Sequence, residues 1–260
     1  MSDIDGLLID IDGVLVVSWE PIPGSADALA ELRDADVPLR FATNTTSRSR
    51  AEISAALTDA GMPVDVEEIV TAAGATASYL RDHHPGARCL VINEGDISED
   101  LVGVDVVDSG SADVVVLGGA GPSFGYEAMG AAFSVLADGA PLVAMHRNLL
   151  WQTRDGLALD TGFFVTALEQ AAGVDAVVIG KPAAAFFEAA ASDLGLAAER
   201  MAMVGDDVHS DVIGAQQVGM TGILVRTGKF RPEVLDDLDE QPDLVLDTFA
   251  DVPRALSFGS

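Results

Sequence analysis

The stretch "LLIDIDGVL", residues 7–15, combines the pattern of a buried strand with two acidic residues. Its leucine and isoleucine side chains predict a strand in the core, but Asp10 and Asp12 stand near its end. Burying an ionised carboxylate without a partner is costly, so these charges require a metal ion, another cation or an exit of the chain from the core. Because they are two positions apart, both side chains project to one side of an extended chain. Gly13 then permits a sharp turn.

The rest of the chain alternates short apolar runs with Ala-rich segments of helical period. This alternation predicts an α/β fold with a parallel sheet covered by helices on both faces. The predicted strands are 7–12, 37–44, 88–93, 113–119, 141–146, 175–182, 200–207, 222–228 and 243–247. The predicted helices are 23–36, 47–61, 73–82, 162–172, one around Phe186, and one with Tyr126, Met129, Phe133 and Leu136 on a single face.

Length and composition limit the class of protein. The 260 residues suffice for one large domain or two modest ones, and a hydrophobic content of 49% excludes a disordered chain. No long apolar run is present, so we expect no membrane span and no membrane partner. Asp3 and Asp5 stand where a signal peptide would need basic residues, and the single cysteine, Cys89, cannot form an internal disulfide. We therefore expect a cytoplasmic location.

The charge of the chain is strongly acidic. It has 42 acidic and 14 basic residues, a net charge of −28, and its only lysines are Lys181 and Lys229. We expect no nucleic-acid partner, because a phosphate backbone needs basic patches. A solvated acidic surface is the expected explanation, and a salt-loving host, where ions screen the repulsion, is its specific form.

Polar residues follow four of the predicted strands. They are Asp10 with Asp12, Thr43 with Asn44 and Thr45, Lys181, and Asp206 and Asp207 with Asp211 nearby. Ligands bind outside the carboxyl ends of the strands in an open parallel sheet, so these clusters meet at one edge if the strands are neighbours. Each cluster alone also fits a strand exit, a helix N-cap, a surface lysine or a solvated loop. Finding all four in order favours a functional site.

Together these residues predict phosphoryl transfer. Carboxylates without Cys or His partners form an oxygen-only site, which favours Mg²⁺ over zinc and compensates the clustered charge. Asp10 is predicted to attack phosphorus and form an aspartyl-phosphate, while Asp12 protonates the leaving alcohol and later deprotonates water. The predicted substrate-binding residues of this edge, which hold the phosphate through N–H groups, hydroxyls and an ammonium, are Thr43, Asn44, Thr45 and Lys181.

Four segments resemble the motifs of the haloacid dehalogenase (HAD) superfamily of phosphatases. They are "DIDGVL" at 10–15, "FATNTT" at 41–46, "GKP" at 180–182 and "VGDDVHSD" at 204–211. The resemblance covers nearly the whole chain and points to the NagD-like subclass IIA, whose α/β cap is inserted between the second and third motifs. It implies a Rossmann-like parallel-sheet core with a C2-type cap, and a Mg²⁺-dependent phosphatase that acts on a small phosphorylated metabolite.

The resemblance also implies roles for individual residues. Asp10 matches the nucleophile, Asp12 the general acid and base, and Thr43 and Lys181 the phosphate-binding positions. The implied Mg²⁺ ligands are the carboxylate of Asp10, the backbone carbonyl of Asp12, and Asp206, with Asp211 as a supporting acidic position.

The spacing of the motifs supports an inserted domain independently. Thr43 and Lys181 are 138 positions apart, far more than one crossover between neighbouring strands needs. We place the catalytic core at 1–80 and 178–260 and the substrate-selecting cap at 81–177. Three cap residues are predicted to face the substrate, although the same positions fit an ordinary surface loop: His146, Asn148 and Arg154.

Other functions stay open on the sequence. A phosphotransferase or mutase would use the same site, and a catalytically quiet binding protein could keep the fold. A signalling receiver domain also uses Asp, Thr, Lys and Mg²⁺, but the adjacent Asp10 and Asp12 and the long insertion argue against it. A homodimer and the physiological substrate also stay open. So does the role of Asp207, because many members of the subclass have Arg and Thr where this chain has Asp207 and Ser210.

Overall fold

The computed structural model describes residues 4–108, 111–153, 156–236 and 238–256. The strands in this part are β1 (Gly6–Asp10), β2 (Val16–Val17), β3 (Glu20–Pro21), β4 (Leu39–Thr43), β5 (Ile69–Thr71), β6 (Arg88–Ile92), β7 (Asp105–Val107), β8 (Val114–Leu117), β9 (Leu142–Ala144), β10 (Leu150–Thr153), β11 (Gly156–Leu159), β12 (Val177–Val178), β13 (Met201–Gly205), β14 (Thr221–Val225) and β15 (Leu244–Leu246). The helices are α1 (Ser25–Asp34), α2 (Arg50–Asp59), α3 (Ala72–His83), α4 (Tyr126–Ala137), α5 (Thr161–Ala172), α6 (Ala184–Asp193), α7 (Gly214–Gln216) and α8 (Val252–Ala255). Short 3₁₀ segments occur at Val66–Glu68, Ala198–Arg200, Pro232–Leu235 and Phe249–Asp251, and a π-helical turn at Val208–Ile213.

The chain divides into two compact units. The first comprises residues 1–43, 51–70 and 181–260, and the second comprises 44–50 and 71–180. The second unit thus contains α3, which the sequence assigned in large part to the core. The cap limits of 81 and 177 stay a prediction. None of the described helices combines the length and the apolar character needed to cross a bilayer.

The first unit is built on a six-stranded sheet in the order β15-β14-β13-β1-β4-β5. The strand pairs from β15 to β4 are parallel, and β1 lies between β13 and β4. Alternate residues of these strands, such as Leu7 and Ile9 on β1, join Phe41 and Phe249 in a buried cluster against α1 and α2. Parallel pairing brings the carboxyl ends of β14, β13, β1 and β4 to one edge of this sheet.

The second unit has a parallel sheet of its own, in the order β12-β9-β8-β6-β7, and an antiparallel hairpin of β10 and β11. Along β8, Val114 and Val116 pack in a cluster with α3, while Val115 and Leu117 pack in a second cluster with α4 and α5. Helices therefore cover both faces of this sheet. The predicted α/β class is confirmed, and the second unit has an α/β sheet of its own, as the prediction of an inserted α/β domain implies.

The predicted apolar face of α4 is confirmed for Leu136 and Met129, which pack in the core, and wrong for Tyr126 and Phe133. Tyr126 is 97% exposed and Phe133 is 40% exposed, whereas Ala132 and Leu136 are buried. Alanine side chains let a helix approach a sheet and a neighbouring helix closely, and α4 contacts both β8 and α5. Large apolar residues at helical spacing therefore indicated only part of the face that packs in the core.

Candidate active site

The carboxyl end of β1 carries a buried ion pair. Asp10 is the last residue of β1 and is 6% exposed, and Lys181 is 3% exposed. The Nζ atom of Lys181 lies 2.5 Å from Asp10 Oδ1, 2.7 Å from Asp211 Oδ1 and 3.3 Å from the carbonyl oxygen of Ala42, to which it also donates. The ammonium therefore binds two buried carboxylates at once and fixes the orientation of Asp10.

Two more buried carboxylates come from the segment after β13. Asp206 is 1% exposed and Asp211, on the π-helical turn, is 2% exposed. Asp211 approaches so closely that a Cβ on Gly205 would lie 2.2 Å from its own Cβ. One carboxylate oxygen from each of Asp10, Asp206 and Asp211 lies within 4.8 Å of the others. Asp10, Asp206 and Asp211 thus lie together, as the sequence predicted for their positions, while their roles stay predictions.

This cluster fits a hard divalent cation. Asp206 Oδ1 is buried and has no hydrogen-bond partner among the described residues, while its Oδ2 accepts a hydrogen bond of 2.6 Å from the backbone N–H of Lys229. An unpartnered buried carboxylate oxygen is costly, and a cation ligand would remove that cost. Carboxylate-only donors are the set that Mg²⁺ prefers in proteins.

The same clustering shifts pKa values. Burial, followed by the charges of Asp10 and Asp211, raises the pKa of Asp206. Burial also raises the pKa of Asp211, and the ammonium of Lys181 opposes that shift. Burial alone would lower the pKa of Lys181, but Asp10 and Asp211 outweigh it and raise that pKa. The cluster carries more negative charge than Lys181 compensates, which is the electrostatic reason for expecting a cation.

Asp12 and Thr43 differ in exposure. Asp12 lies two residues beyond β1 and is exposed, and Thr43, the last residue of β4, is 4% exposed. Partial desolvation by the surrounding protein raises the pKa of Asp12, and the positive charge of Lys229 opposes that shift. A raised pKa favours the protonated carboxyl that a general acid needs. The roles predicted for both residues stay predictions.

The sequence misplaced the strand before Lys181. That strand, β12, belongs to the sheet of the second unit and pairs with β9, so Lys181 does not follow a neighbour of β1. The chain leaves β12 through Gly180, whose N–H donates to the carbonyl of Met145 at 2.8 Å. A Cβ on Gly180 would lie 2.4 Å from that carbonyl oxygen, so the close approach requires glycine. The lysine therefore reaches Asp10 from a connection and not from a strand end of the same sheet.

Asp207 has a structural contact that the sequence did not predict. Its Oδ1 accepts hydrogen bonds from the backbone N–H groups of His209 and Ser210 at 3.1 and 3.0 Å. It thereby caps the first turn of the π-helical segment that carries Asp211. Its Oδ2 lies 4.0 Å from Lys229 Nζ, and its side chain is 26% exposed.

The other predicted substrate-binding residues lie in the second unit. Asn44 and Thr45 are half-buried. His146 is 3% exposed, and its Nδ1 lies 3.9 Å from Asp160 Oδ2. Asn148 is half-buried, and its carbonyl accepts a hydrogen bond of 2.8 Å from the N–H of Gly162. Arg154 lies outside the described residues. The substrate-facing roles of these residues stay predictions.

The sequence interpretation missed the loop after β14. Strand β14 also ends at this edge of the sheet, and Thr227, Gly228 and Lys229 follow it. Thr227 Oγ1 donates to the carbonyl oxygen of Gly13 at 2.5 Å, and Lys229 donates its backbone N–H to Asp206. The polar "RTGK" after an apolar run was the available signal, but the first residues of that segment were interpreted as strand.

Comparison with known proteins places the chain in a family. A model described as haloacid dehalogenase-like hydrolase matches residues 7–107, and one described as HAD-hydrolase-like matches residues 178–252. Haloacid dehalogenase-like hydrolase domain-containing protein 2 of Rattus norvegicus is 37% identical over 246 residues, 95% of this chain and 93% of the relative. The chain belongs to the haloacid dehalogenase-like hydrolases. The resemblance drawn from the four motifs is thereby confirmed.

Two further relatives of this hydrolase are named as phosphatases, and a third is NagD. Phospholysine phosphohistidine inorganic pyrophosphate phosphatase of Rattus norvegicus is 38% identical over 264 residues, 95% of this chain and 96% of the relative. The structure of p-nitrophenyl phosphatase from Archaeoglobus fulgidus has a TM-score of 0.91 and 31% identity. The match covers 98% of this chain and 100% of the phosphatase chain. NagD from Escherichia coli K-12 has a TM-score of 0.86 and 26% identity, and the match covers 96% of this chain and 98% of NagD. The chain is a NagD-like HAD hydrolase of the phosphoric monoester class.

Proposed function

We propose that this hydrolase is Mg²⁺-dependent and cleaves a small phosphorylated metabolite through an aspartyl-phosphate on Asp10. The observation that carries the proposal is the buried contact of 2.5 Å between Lys181 Nζ and Asp10 Oδ1, beside Asp206 and Asp211. A carboxylate oriented by an ammonium at the end of a central strand is suited to nucleophilic attack. Its negative neighbours are suited to holding a cation and not to holding an anion directly.

The proposed reaction has two steps. An oxygen of Asp10 attacks phosphorus, the bond between phosphorus and the ester oxygen breaks, and the carboxyl of Asp12 gives its proton to the leaving alcohol. The Asp12 carboxylate then takes a proton from water as the water oxygen attacks phosphorus. The bond between phosphorus and the Asp10 oxygen breaks, which releases inorganic phosphate and restores both carboxyl groups to their starting states.

The remaining residues of the cluster stabilise charge. Asp10, Asp206 and Asp211 would hold Mg²⁺ together with the backbone carbonyl of Asp12, and bound Mg²⁺ supplies positive charge at the transferring group. Lys181 supplies a fixed ammonium. It compensates the negative charge of Asp10 before attack and the negative charge of the phosphoryl oxygens during attack. Thr43 is proposed to hold a phosphoryl oxygen through its hydroxyl.

Substrate choice is assigned to the second unit. We propose that Asn44 and Thr45 extend the phosphate-binding turn, and that His146, Asn148 and Arg154 contact the part of the substrate that differs between esters. The panel to assay follows from the relatives: p-nitrophenyl phosphate, inorganic pyrophosphate, phospholysine and phosphohistidine, together with sugar phosphates, phosphoglycolate and nucleotides. Variants of Asn148 should then change the ratio of kcat/KM between two good substrates.

The test is hydrolysis of p-nitrophenyl phosphate with Mg²⁺ and with excess chelator. We expect activity only with Mg²⁺, and no activity in Asp10→Asn, which keeps the shape of the side chain but removes the nucleophilic oxygen. Asp193→Asn is the matched control, because it makes the same change at a residue whose side chain is 55% exposed and pairs with Arg40. Full activity in excess chelator, or in a folded Asp10→Asn protein, would contradict the proposal.

A phosphotransferase uses the same first step, so product analysis distinguishes it. With an added acceptor alcohol, a hydrolase releases inorganic phosphate in the amount of p-nitrophenol formed, whereas a transferase releases less and makes a new ester. A catalytically quiet binding protein would bind phosphate esters and release neither product.

A further inference from the structure

The loop after β14 binds two segments of the carboxylate cluster at once. Thr227 Oγ1 donates to the carbonyl oxygen of Gly13 at 2.5 Å, so its hydroxyl ties the loop to the turn that follows Asp12. Two residues later the backbone N–H of Lys229 donates to Asp206 Oδ2 at 2.6 Å. Both bonds join residues more than 20 positions apart in the sequence.

Two glycines flank the Asp206 carboxylate within this arrangement. A Cβ on Gly13 would lie 2.0 Å from Asp206 Oδ2, and a Cβ on Gly228 would lie 2.0 Å from the same oxygen and 2.5 Å from the Gly13 Cα. Both glycines have positive φ angles, +97° and +57°. Any side chain at either position would occupy the place of Asp206 Oδ2, so the carboxylate is enclosed by backbone on two sides.

The two oxygens of Asp206 are therefore unequal. Oδ2 lies between the two glycines and accepts the Lys229 N–H, while Oδ1 is buried and has no hydrogen-bond partner among the residues that the structure describes. The backbone of Gly13 and Gly228 and the N–H of Lys229 thus contact the carboxylate at Oδ2. One oxygen of Asp206 lies within 4.8 Å of an oxygen of Asp10 and an oxygen of Asp211, and Oδ1 is the Asp206 oxygen that is left without a hydrogen bond among the described residues.

We propose that the segment Thr227–Lys229 is a positioning device that holds Asp206 Oδ1 toward the metal and thereby sets the affinity for Mg²⁺. This inference rests on the proposed role of Asp206 as a Mg²⁺ ligand. Groups that hydrogen-bond to a metal ligand commonly contribute about 10- to 100-fold to metal affinity, because they fix the orientation of the donor atom. The device acts through backbone and hydroxyl groups, and the Lys229 ammonium is not part of it.

The first test compares Gly228→Ala with Gly195→Ala by isothermal titration of Mg²⁺ into the full-length chain. Gly195 also has a positive φ, +67°, but a Cβ there would meet nothing within 4 Å. Both variants carry the backbone strain of an alanine in the left-handed region. We expect the Kd for Mg²⁺ to rise about 10- to 100-fold in Gly228→Ala and to stay at the wild-type value in Gly195→Ala.

The second test removes only the hydroxyl and covers the case in which Gly228→Ala does not fold. Thr227→Val keeps the size of the side chain but cannot donate to Gly13, whereas Thr227→Ser keeps the donor. We expect weaker Mg²⁺ binding, by about 10-fold, in Thr227→Val and recovery in Thr227→Ser. Wild-type Kd values in folded Thr227→Val and Gly228→Ala, with normal binding by the wild type, would overturn this inference alone. Absence of Mg²⁺ binding by the wild type would overturn the proposed function as well.

Discussion

Replacement of Lys181 tests whether the site needs a compact ammonium or only a positive charge. Lys181 is 3% exposed. Its Nζ atom lies 2.5 Å from an oxygen of Asp10, 2.7 Å from an oxygen of Asp211 and 3.3 Å from the carbonyl oxygen of Ala42. A guanidinium is broader and binds acceptors through a planar fork, so in Lys181→Arg it would displace Asp10 or Asp211. We expect kcat in Lys181→Arg to fall about 100-fold, or about 3 kcal/mol in activation free energy, nearly as far as in Lys181→Ala.

Loss of the ammonium in Lys181→Ala should also lower the stability of the folded protein. In Lys181→Ala the buried carboxylates lose their cation, which costs about 3–5 kcal/mol of unfolding free energy in chelator. The folded pKa of Lys181 is raised, so its contribution is fully present below the unfolded pKa of about 10.4 and is lost only as the pH rises through the folded value. Neutral pH therefore measures the whole effect.

The assay is kcat for p-nitrophenyl phosphate at saturating Mg²⁺, with folding checked by circular dichroism and stability by urea unfolding. Arg88→Lys is the matched control for kcat, because it exchanges the same two side chains at an exposed pair with Asp113. Wild-type kcat in Lys181→Arg would refute the geometric argument. Wild-type kcat in Lys181→Ala as well would remove Lys181 from the site.

Three further predictions concern pH, salt and metal. Partial burial would raise the pKa of Glu68, but hydrogen bonds from Arg33 and the Asp65 backbone outweigh it and lower that pKa. The resulting stability is present above the unfolded pKa of about 4.3 and is lost as the pH falls through the folded value. Glu68→Gln should therefore cost about 1 kcal/mol of unfolding free energy at neutral pH and much less in acid. Equal losses at the two pH values, measured by urea unfolding, would contradict this. With a net charge of −28, the Tm should rise from low to molar KCl at fixed Mg²⁺, and a flat or falling Tm would count against a salt-adapted surface. Mg²⁺ should raise the Tm of the wild type, and it should raise the Tm of Asp206→Asn much less. An equal rise in both proteins would exclude Asp206 as a ligand.

The sequence predicted the elements of the site better than their connections. Asp10, Thr43 and Asp206 follow strands of a single sheet, as the alternation of apolar runs and helices indicated, because the carboxyl ends of parallel strands meet at one edge. Lys181 was assigned to the same set because it follows a predicted strand, but that strand belongs to the second sheet. Strand periodicity does not say which sheet a strand joins, since both sheets need the same apolar pattern.

Two other features could not be predicted because they depend on close packing. The core face of α4 uses Ala132 where the sequence suggested Tyr126 and Phe133, since helix-to-sheet distance selects small residues. The glycines beside Asp206 are separated by most of the chain, and glycine in a turn usually indicates only a permitted positive φ. Their shared contact with one carboxylate oxygen is a property of the folded chain.

The most direct measurement of the central claim is the capture of a phosphoryl group on Asp10. Asp12→Asn cannot take a proton from water, but the leaving group departs as the p-nitrophenolate anion without needing a proton, so the first step should survive while the second slows. With p-nitrophenyl phosphate and Mg²⁺, we predict a burst of p-nitrophenol equal to the enzyme concentration. Acid quenching followed by peptide mass spectrometry should then place one phosphoryl group on Asp10. Steady hydrolysis without a burst and without a phosphorylated residue, or a phosphoryl group on another residue, would contradict a carboxylate nucleophile at this position.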